Sequence, residues 1–171
     1  MLSSLIHTLD EAGKRTEIYR SPDGTRVLLL PHGGRALGLF AAESEENFFW
    51  THSALSSVDS ARAFYESDVW HNFGGDRTWL SPEVDLFFPH FPNLDLAKYR
   101  VPRQLDPGDY KIVRMNGGVR LVNRLTLSLV RSKQRVELEI VKWVAPAPNP
   151  LRYERGLKES RRLEYAGYTQ H

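Results

Sequence analysis

Residues 119–140 alternate between apolar and polar side chains, and this alternation constrains the fold more than any other feature of the sequence. Side chains on a β-strand point to opposite faces in turn, so such a segment places one face in a core and the other in water. The apolar positions are Val119, Leu121, Leu125, Leu127, Leu129, Val136, Leu138 and Ile140. We therefore predict two antiparallel strands here, joined by a turn at 131–134.

The neighbouring sequence predicts strands on both sides of this pair. Asn116 and Gly117 are a favoured combination for a tight hairpin turn, so a strand over 110–115 is expected to pair with the one that follows. The alternation slips at 141–143, which predicts a bulge or bend. One more strand is predicted over 161–168.

The first part of the chain predicts short helices and strands. Apolar residues at helical spacing indicate a helix over 2–9, which Gly13 ends. Ser56, with Asp59 three residues later, predicts the start of a second helix. The predicted strands are 15–20, 27–30 and 35–40. The proline-rich and aromatic-rich residues 87–107 are expected to be irregular.

Together these elements predict a mainly β protein, an antiparallel β-sandwich with one or two short helices. Residues 1–171 are enough for a single domain with a core of its own. Because the chain stops directly after a predicted strand, we expect one of two arrangements. Either the chain is the N-terminal portion of a larger domain, or a second copy pairs with the exposed strand edge to form a homo-oligomer.

The bulk properties exclude several classes of function. The sequence has no cysteine, which excludes disulfides and thiolate catalysis. A net charge of +2 gives no reason to expect nucleic acid as a partner. No apolar run approaches the length that a membrane helix needs, so no membrane partner is expected. No signal-peptide pattern is present at the N-terminus, which leaves the location open and favours a soluble, cytoplasmic protein.

Residues 72–85 combine paired glycines, acidic residues, an arginine and a tryptophan, which is typical of an ordered loop. Sugars present hydroxyl groups at their edge and C–H groups on their faces, so a sugar site combines planar polar groups with an aromatic platform. Asp76, Arg77 and Trp79 offer both, and Glu83 is a candidate acid or base. The structural alternatives are a core tryptophan, a buried ion pair and a carboxylate that caps backbone N–H groups.

Two histidines adjoin glycine-rich turns, and either His32 or His71 is placed to face a cleft. The alternative is a histidine at the surface or satisfied in the core. A metal site would have to combine His71, Asp76, Glu83 and His90. Asp85 and His90 lie five residues apart, which is not the spacing of a recognisable metal site, and no metal and no cofactor are predicted. We expect Trp50 and Trp70 to lie in the core.

Three segments resemble the galactose mutarotase-like superfamily, whose members include aldose 1-epimerases. Residues 27–35 look like its early strand and glycine-arginine turn, which here contains Arg35, and residues 47–50 look like the short segment that comes later. Residues 72–83 resemble the Gly-Gly-Asp-x-Thr-Trp-x-x-Pro-Glu stretch of bacterial mutarotase-like proteins of unknown function. The likeness lies within residues 15–85.

The resemblance implies a large two-sheet sandwich, of which this chain is the N-terminal half, with a sugar-binding cleft on a concave sheet. Active members use a histidine and a glutamate as acid and base. No histidine of this sequence sits in the matching motif, and the glutamate belongs to the later half of the family's domain.

The resulting hypothesis is a carbohydrate-binding, mutarotase-like protein. The alternatives are a sugar epimerase of the aldose 1-epimerase type or another carbohydrate-active enzyme, and a structural or assembly module without a ligand. The ligand-binding candidates are Arg35, His71, Asp76, Arg77, Trp79 and Glu83.

Overall fold

A computed structural model describes residues 2–68, 70–150 and 164–171 of the chain. The α-helices within these residues are α1 (Leu2–Glu11), α2 (Val58–Glu66) and α3 (Glu83–Leu86). Short 3-10 helices span Ser53–Ser56 and Leu96–Lys98. The strands are β1 (Glu17–Arg20), β2 (Arg26–Leu30), β3 (Arg35–Phe40), β4 (Lys111–Met115), β5 (Gly118–Ser128), β6 (Arg135–Pro146) and β7 (Tyr168–Gln170).

The strands form two antiparallel sheets, so the predicted mainly β class is confirmed. One sheet has the order β1-β2-β3 and the other the order β4-β5-β6-β7. The short α3 was not expected, because residues 72–85 were predicted to be a loop. It begins directly after Pro82, and Glu83 and Asp85 lie in its first turn, where negative side chains favour a helix N-terminus.

The two sheets pack against each other, and a shared cluster of apolar side chains fills the space between them. The three-stranded sheet contributes Tyr19, Val27, Leu29 and Ala36. The four-stranded sheet and the residue before it contribute Tyr110, Val119, Leu121 and Val144. Burial of these side chains is the main stabilisation that holds one sheet on the other.

The other face of the three-stranded sheet is covered by helices. Leu28, Leu30, Leu37 and Phe40 on this face pack with Leu2 and Leu9 of α1 and with Ala61 and Phe64 of α2. The β2 strand is therefore buried on both faces, which explains its continuous apolar sequence. At this point the molecule has three layers: helices, sheet and sheet.

At one end of the four-stranded sheet, none of the described strands lies opposite β5. There, Leu125 and Leu127 of β5 pack against Phe87 and Leu105, with Trp79 at the edge of the cluster. Residues 79–105, which contain α3 and a 3-10 helix, cover this end of the sheet in place of a facing strand. Their first part belongs to residues 72–85, which we call the central loop.

The predicted hairpins are present. Met115 pairs with Gly118, so Asn116 and Gly117 form the turn between β4 and β5, and Gly117 has a φ of 83°. Burial along β5 alternates as predicted. The predicted bulge at 141–143 is wrong, because β5 and β6 pair without a register shift from Val119↔Val144 to Ser128↔Arg135.

The slip in the sequence pattern has another cause, which is a buried lysine. Even-numbered residues of β6 face inward, and Lys142 keeps this register between Ile140 and Val144. In the sequence, a polar residue at an inward position gives the same pattern as a change of register. The strand stays regular because polar partners in the interior satisfy the ammonium group.

Several boundaries also differ from the expectation. The cap of α2 is Ser57, whose side chain accepts a hydrogen bond from the Ser60 N–H, and not Ser56. Of the strand predicted over 161–168, residues 161–163 lie outside the described residues, and the observed strand is Tyr168–Gln170. β7 lies at the edge of its sheet among the described strands, and the pairing of a second copy at such an edge stays a prediction.

Candidate functional site

The central loop packs directly on the edge of the three-stranded sheet. The Gly75 N–H donates to the Trp50 carbonyl and the Asp76 N–H donates to the Ala36 carbonyl. Gly75 has a φ of 65°, and a Cβ there would lie 2.3 Å from the Ala36 oxygen. Glycine is therefore required by both conformation and space, and the loop is held against the sheet backbone.

Asp76 joins this loop to both sheets. One carboxylate oxygen accepts from the Ala36 N–H, and the other accepts from the Lys142 Nζ at 2.9 Å. Lys142 also donates to the Gly34 carbonyl at 2.7 Å. Both Asp76 oxygens therefore have protein partners. Sequence reasoning missed Lys142, although a lysine at an inward position of an alternating strand was the signal.

Arg35 lies at the centre of a second polar cluster and is fully buried. Its guanidinium donates to the Asn72 side chain at 3.0 Å and to the Gly74 carbonyl at 2.8 Å. It also donates to the Asp106 carboxylate at 3.3 Å. Burial lowers the pKa of Arg35, and the charge of Asp106 offsets part of this effect. Asp106 was not foreseen, because it lies in a segment without periodicity.

Arg77 lies against two tryptophan rings. Its guanidinium carbon is 3.8 Å from the centre of the Trp79 ring and 4.9 Å from that of the Trp70 ring. One of its nitrogens lies 3.9 Å from the Asp106 carboxylate. Stacked in this way, the guanidinium makes cation–π contacts and fixes the position of both indoles.

Trp79 and Glu83 form a pair on the side of the central loop that faces the end of the sandwich. The Trp79 indole N–H donates to the Glu83 carboxylate, which also accepts from the Tyr99 hydroxyl at 3.2 Å. The Trp79 ring packs on Phe87. Burial, followed by the charge of Glu83, raises the pKa of Tyr99 to about 12. These contacts agree with the structural alternative for Trp79.

A cleft of about 770 Å³ opens beside this network. The β2–β3 turn, α2 and the segment after α2 supply one wall, which is made of His32, Phe64, Tyr65, Trp70, His71 and Phe73, with Ser67 and Asp68 beside them. We call this the ring wall. Residues 99–107 supply the other wall, which is made of Tyr99, Arg100, Val101, Arg103, Asp106 and Pro107. We call this the guanidinium wall. None of these lining residues is on a strand, so the cleft does not lie on a concave sheet.

Trp70 is the most accessible ring of the ring wall. Trp70 is 43% exposed, and Trp50 is 59% exposed. The expectation that both tryptophans lie in the core is therefore wrong. The Trp70 indole N–H donates to Asp106 at 2.9 Å. That hydrogen bond and the stacked Arg77 hold the indole in place without burying it.

Of the six candidates, only His71 is among the described residues that line this cleft. Its ring stacks on Phe64 with centroids 4.3 Å apart. The His71 Nε2 and the Tyr65 hydroxyl are buried, and neither has a hydrogen-bond partner in the described part of the chain. Arg35, Asp76 and Arg77 lie close to one another. Trp79 and Glu83 are not among the described lining residues, but Trp79 packs near the lining Trp70 and Glu83 accepts from the lining Tyr99.

His32 lies in the ring wall between two other rings, with centroids 5.4 Å from Tyr65 and 5.7 Å from Phe73. Burial lowers the pKa of His32 from 6.5 to about 4, and repulsion from Lys14 adds to the effect. The imidazole is therefore neutral at pH 7. Burial also raises the pKa of Tyr65.

Within residues 2–68, 70–150 and 164–171, no three acidic or histidine side chains are grouped so that they could hold a metal ion. No helix in the same residues has the length and apolar character needed to span a membrane. Comparison with known proteins finds no matching protein family, and neither the curated proteins nor the solved structures include a significant match.

Proposed function

We propose that this protein binds a carbohydrate in the cleft between the ring wall and the guanidinium wall. The observation that carries the proposal is Trp70, an indole that is 43% exposed at the cleft and held by a hydrogen bond to Asp106. An exposed and immobilised indole presents a flat apolar surface at a low cost in side-chain entropy. Such a surface suits the C–H face of a sugar ring.

The polar groups of the cleft suit the hydroxyl groups of the same sugar. Imidazole, hydroxyl and guanidinium side chains line the same cleft as the Trp70 ring. A sugar hydroxyl both donates and accepts hydrogen bonds, so it can pair with groups of either kind. The volume of about 770 Å³ is within the range of small-molecule sites.

Arg77 has a supporting role in this proposal. It stacks behind the Trp70 ring and does not line the cleft in the described residues. Asp76, Lys142 and Arg35 hold the loop on which this arrangement depends. The proposed site therefore lies next to residues 72–83, the segment that resembles mutarotase-like proteins. In this proposal, that segment supports the residues of the site.

Titration of the protein with monosaccharides and short oligosaccharides, by calorimetry or ligand-observed NMR, tests the proposal. Trp70→Ala should weaken binding by roughly 5- to 150-fold, if the stacking energy of about 1–3 kcal/mol known for bases on aromatic side chains applies to sugars. Trp50→Ala is the matched control, because Trp50 is also exposed and is not a described lining residue.

Two results would overturn the proposal. One is a parent protein that binds no sugar, which would favour a structural or assembly module. The other is a folded Trp70→Ala variant that binds with the parent's affinity.

A second candidate function is isomerisation of the bound sugar, as in aldose 1-epimerases. The observation that favours it is the presence of two imidazoles, His32 and His71, in one cleft, because imidazole is the commonest general acid or base. No glutamate is among the described lining residues. NMR of freshly dissolved anomers tests this function, and an interconversion rate equal to that without protein would exclude it for the sugars used.

A further inference from the structure

The two walls of the cleft differ in charge. The ring wall is made largely of aromatic and imidazole side chains, whereas the guanidinium wall carries Arg100 and Arg103 within four residues. The hydroxyl groups of a neutral sugar can accept hydrogen bonds from these guanidinium groups, but only an anionic ligand would also neutralise their charge. The charge balance of the cleft therefore bears on the kind of ligand that the proposed carbohydrate site takes.

The carboxylates of the cleft are already engaged. Asp106 is shared by the buried Arg35, at 3.3 Å, and the partly exposed Arg77, at 3.9 Å. Asp68 pairs with Arg103 at 3.1 Å. Both aspartates that line the cleft therefore already have guanidinium partners.

Arg100 is the cation whose charge is least compensated. Its guanidinium donates to the backbone carbonyls of Ala97 and Tyr99, at 3.4 Å and 2.9 Å. Among the described residues, no carboxylate oxygen lies within 4.0 Å of its nitrogens. The two carbonyls orient the guanidinium and leave its charge unneutralised.

The ion pair between Arg103 and Asp68 is exposed, so another anion can replace Asp68 as the partner of Arg103. The side chains of Arg103 and Asp68 are 73% and 99% exposed, and an ion pair in water contributes little to stability. An anionic ligand in the cleft can therefore take the place of Asp68 without a large cost.

Resting on the carbohydrate site proposed above, we infer that its ligand is an acidic sugar, whose carboxylate or phosphate group is bound by Arg100 and Arg103 while its ring lies on Trp70. Guanidinium groups bind both anions through paired N–H donors, and these charge-assisted hydrogen bonds are stronger than those between neutral groups. The ring wall and the guanidinium wall then each recognise one part of the same molecule.

Calorimetric titration with three ligands of the same ring size tests the inference: a neutral hexose, the corresponding uronic acid and the corresponding hexose 6-phosphate. At least one acidic sugar should bind ten-fold or more tightly than the neutral hexose, and its affinity should fall as salt is added. The two acidic ligands distinguish recognition of a carboxylate from that of a phosphate.

Arg100→Met should remove most of the difference between acidic and neutral sugars, because it should weaken binding of the acidic sugar far more than binding of the neutral hexose. Arg124→Met is the matched control, because Arg124 is an exposed arginine on the four-stranded sheet and is paired with Glu139. It should retain the parent's preference.

The outcomes separate the two proposals. If the neutral hexose binds as tightly as both acidic sugars, or if Arg100→Met keeps the parent's preference, the acidic-sugar inference is overturned while the carbohydrate site stands. If none of the three binds and the oligosaccharides above do not bind either, the carbohydrate site itself is overturned.

Discussion

Lys142 donates a hydrogen bond to Asp76 at 2.9 Å, and this contact joins the four-stranded sheet to the loop that lies on the other sheet. The same ammonium donates to the Gly34 carbonyl, in the turn that also carries His32. A single side chain thus ties together both sheets, the central loop and one wall of the cleft.

Lys142→Met should destabilise the protein by about 3 kcal/mol. The variant keeps most of the apolar stem but leaves the Asp76 carboxylate, which is 21% exposed, without its cationic partner. Removing one member of a buried ion pair costs about 3–5 kcal/mol. Urea unfolding followed by tryptophan fluorescence measures the loss.

Arg124→Met serves as the control for this experiment, because it breaks an exposed ion pair of the same sheet and should cost less than about 1 kcal/mol. Equal losses in the two variants would contradict a structural role for the Lys142–Asp76 pair.

Substitutions of two glycines with positive φ should differ sharply in their effect. Gly117 lies at the hairpin tip, where a Cβ would meet nothing within 4 Å. Gly117→Val should therefore cost only the backbone strain of a positive φ, roughly 1–3 kcal/mol. Gly75→Ala also places a Cβ against the Ala36 carbonyl, and we expect it to prevent the loop from packing. Thermal melts of both variants test this, and a Gly75→Ala variant as stable as Gly117→Val would argue against the close packing.

Stability should decrease as the pH falls from about 6.5 to about 4 because of His32. Its pKa is lowered to about 4 in the folded protein, so over this window the unfolded chain binds more protons and protonation favours unfolding. At about 1.4 kcal/mol per pKa unit, the contribution is about 3 kcal/mol and is complete below pH 4. Urea unfolding at several pH values measures it.

His32→Gln removes the titrating group from the same position and should flatten the dependence in this window. A variant with the same loss of stability between pH 6.5 and 4 would assign the effect to other groups.

Arg77→Met should weaken sugar binding without removing any group from the described lining of the cleft. The methionine keeps part of the stem, but it loses the charge that stacks on Trp70 and Trp79 and lies near Asp106. We expect a loss of roughly 5- to 30-fold, equivalent to cation–π contacts of about 1–2 kcal/mol. Calorimetry of the folded variant measures this change, and unaltered affinity would mean that Trp70 does not need Arg77 for its position.

The sequence by itself determined the local elements of this protein. Alternation along β5, the Asn116–Gly117 turn and the apolar run of β2 each reflect a preference that acts between neighbouring residues, and the structure agrees with all three. The glycines of the central loop were also identified as positions that backbone geometry requires, and Gly75 is one of them.

Tertiary structure alone decided which side chains meet. Arg35 and Asp106 are far apart in the chain, and their contact depends on how residues 79–105 cover the end of the sandwich. The same packing turned Trp79 towards Phe87, which is one of the two alternatives left open for it. It left Trp70 exposed at the cleft, although Trp70 was expected to lie in the core. Lys142 interrupted the alternating pattern of the sequence. Such a pattern predicts which face of the sheet a residue lies on, but it does not predict which residues that side chain contacts. Long-range polar contacts depend on the three-dimensional path of several segments at once, and no local preference specifies that path.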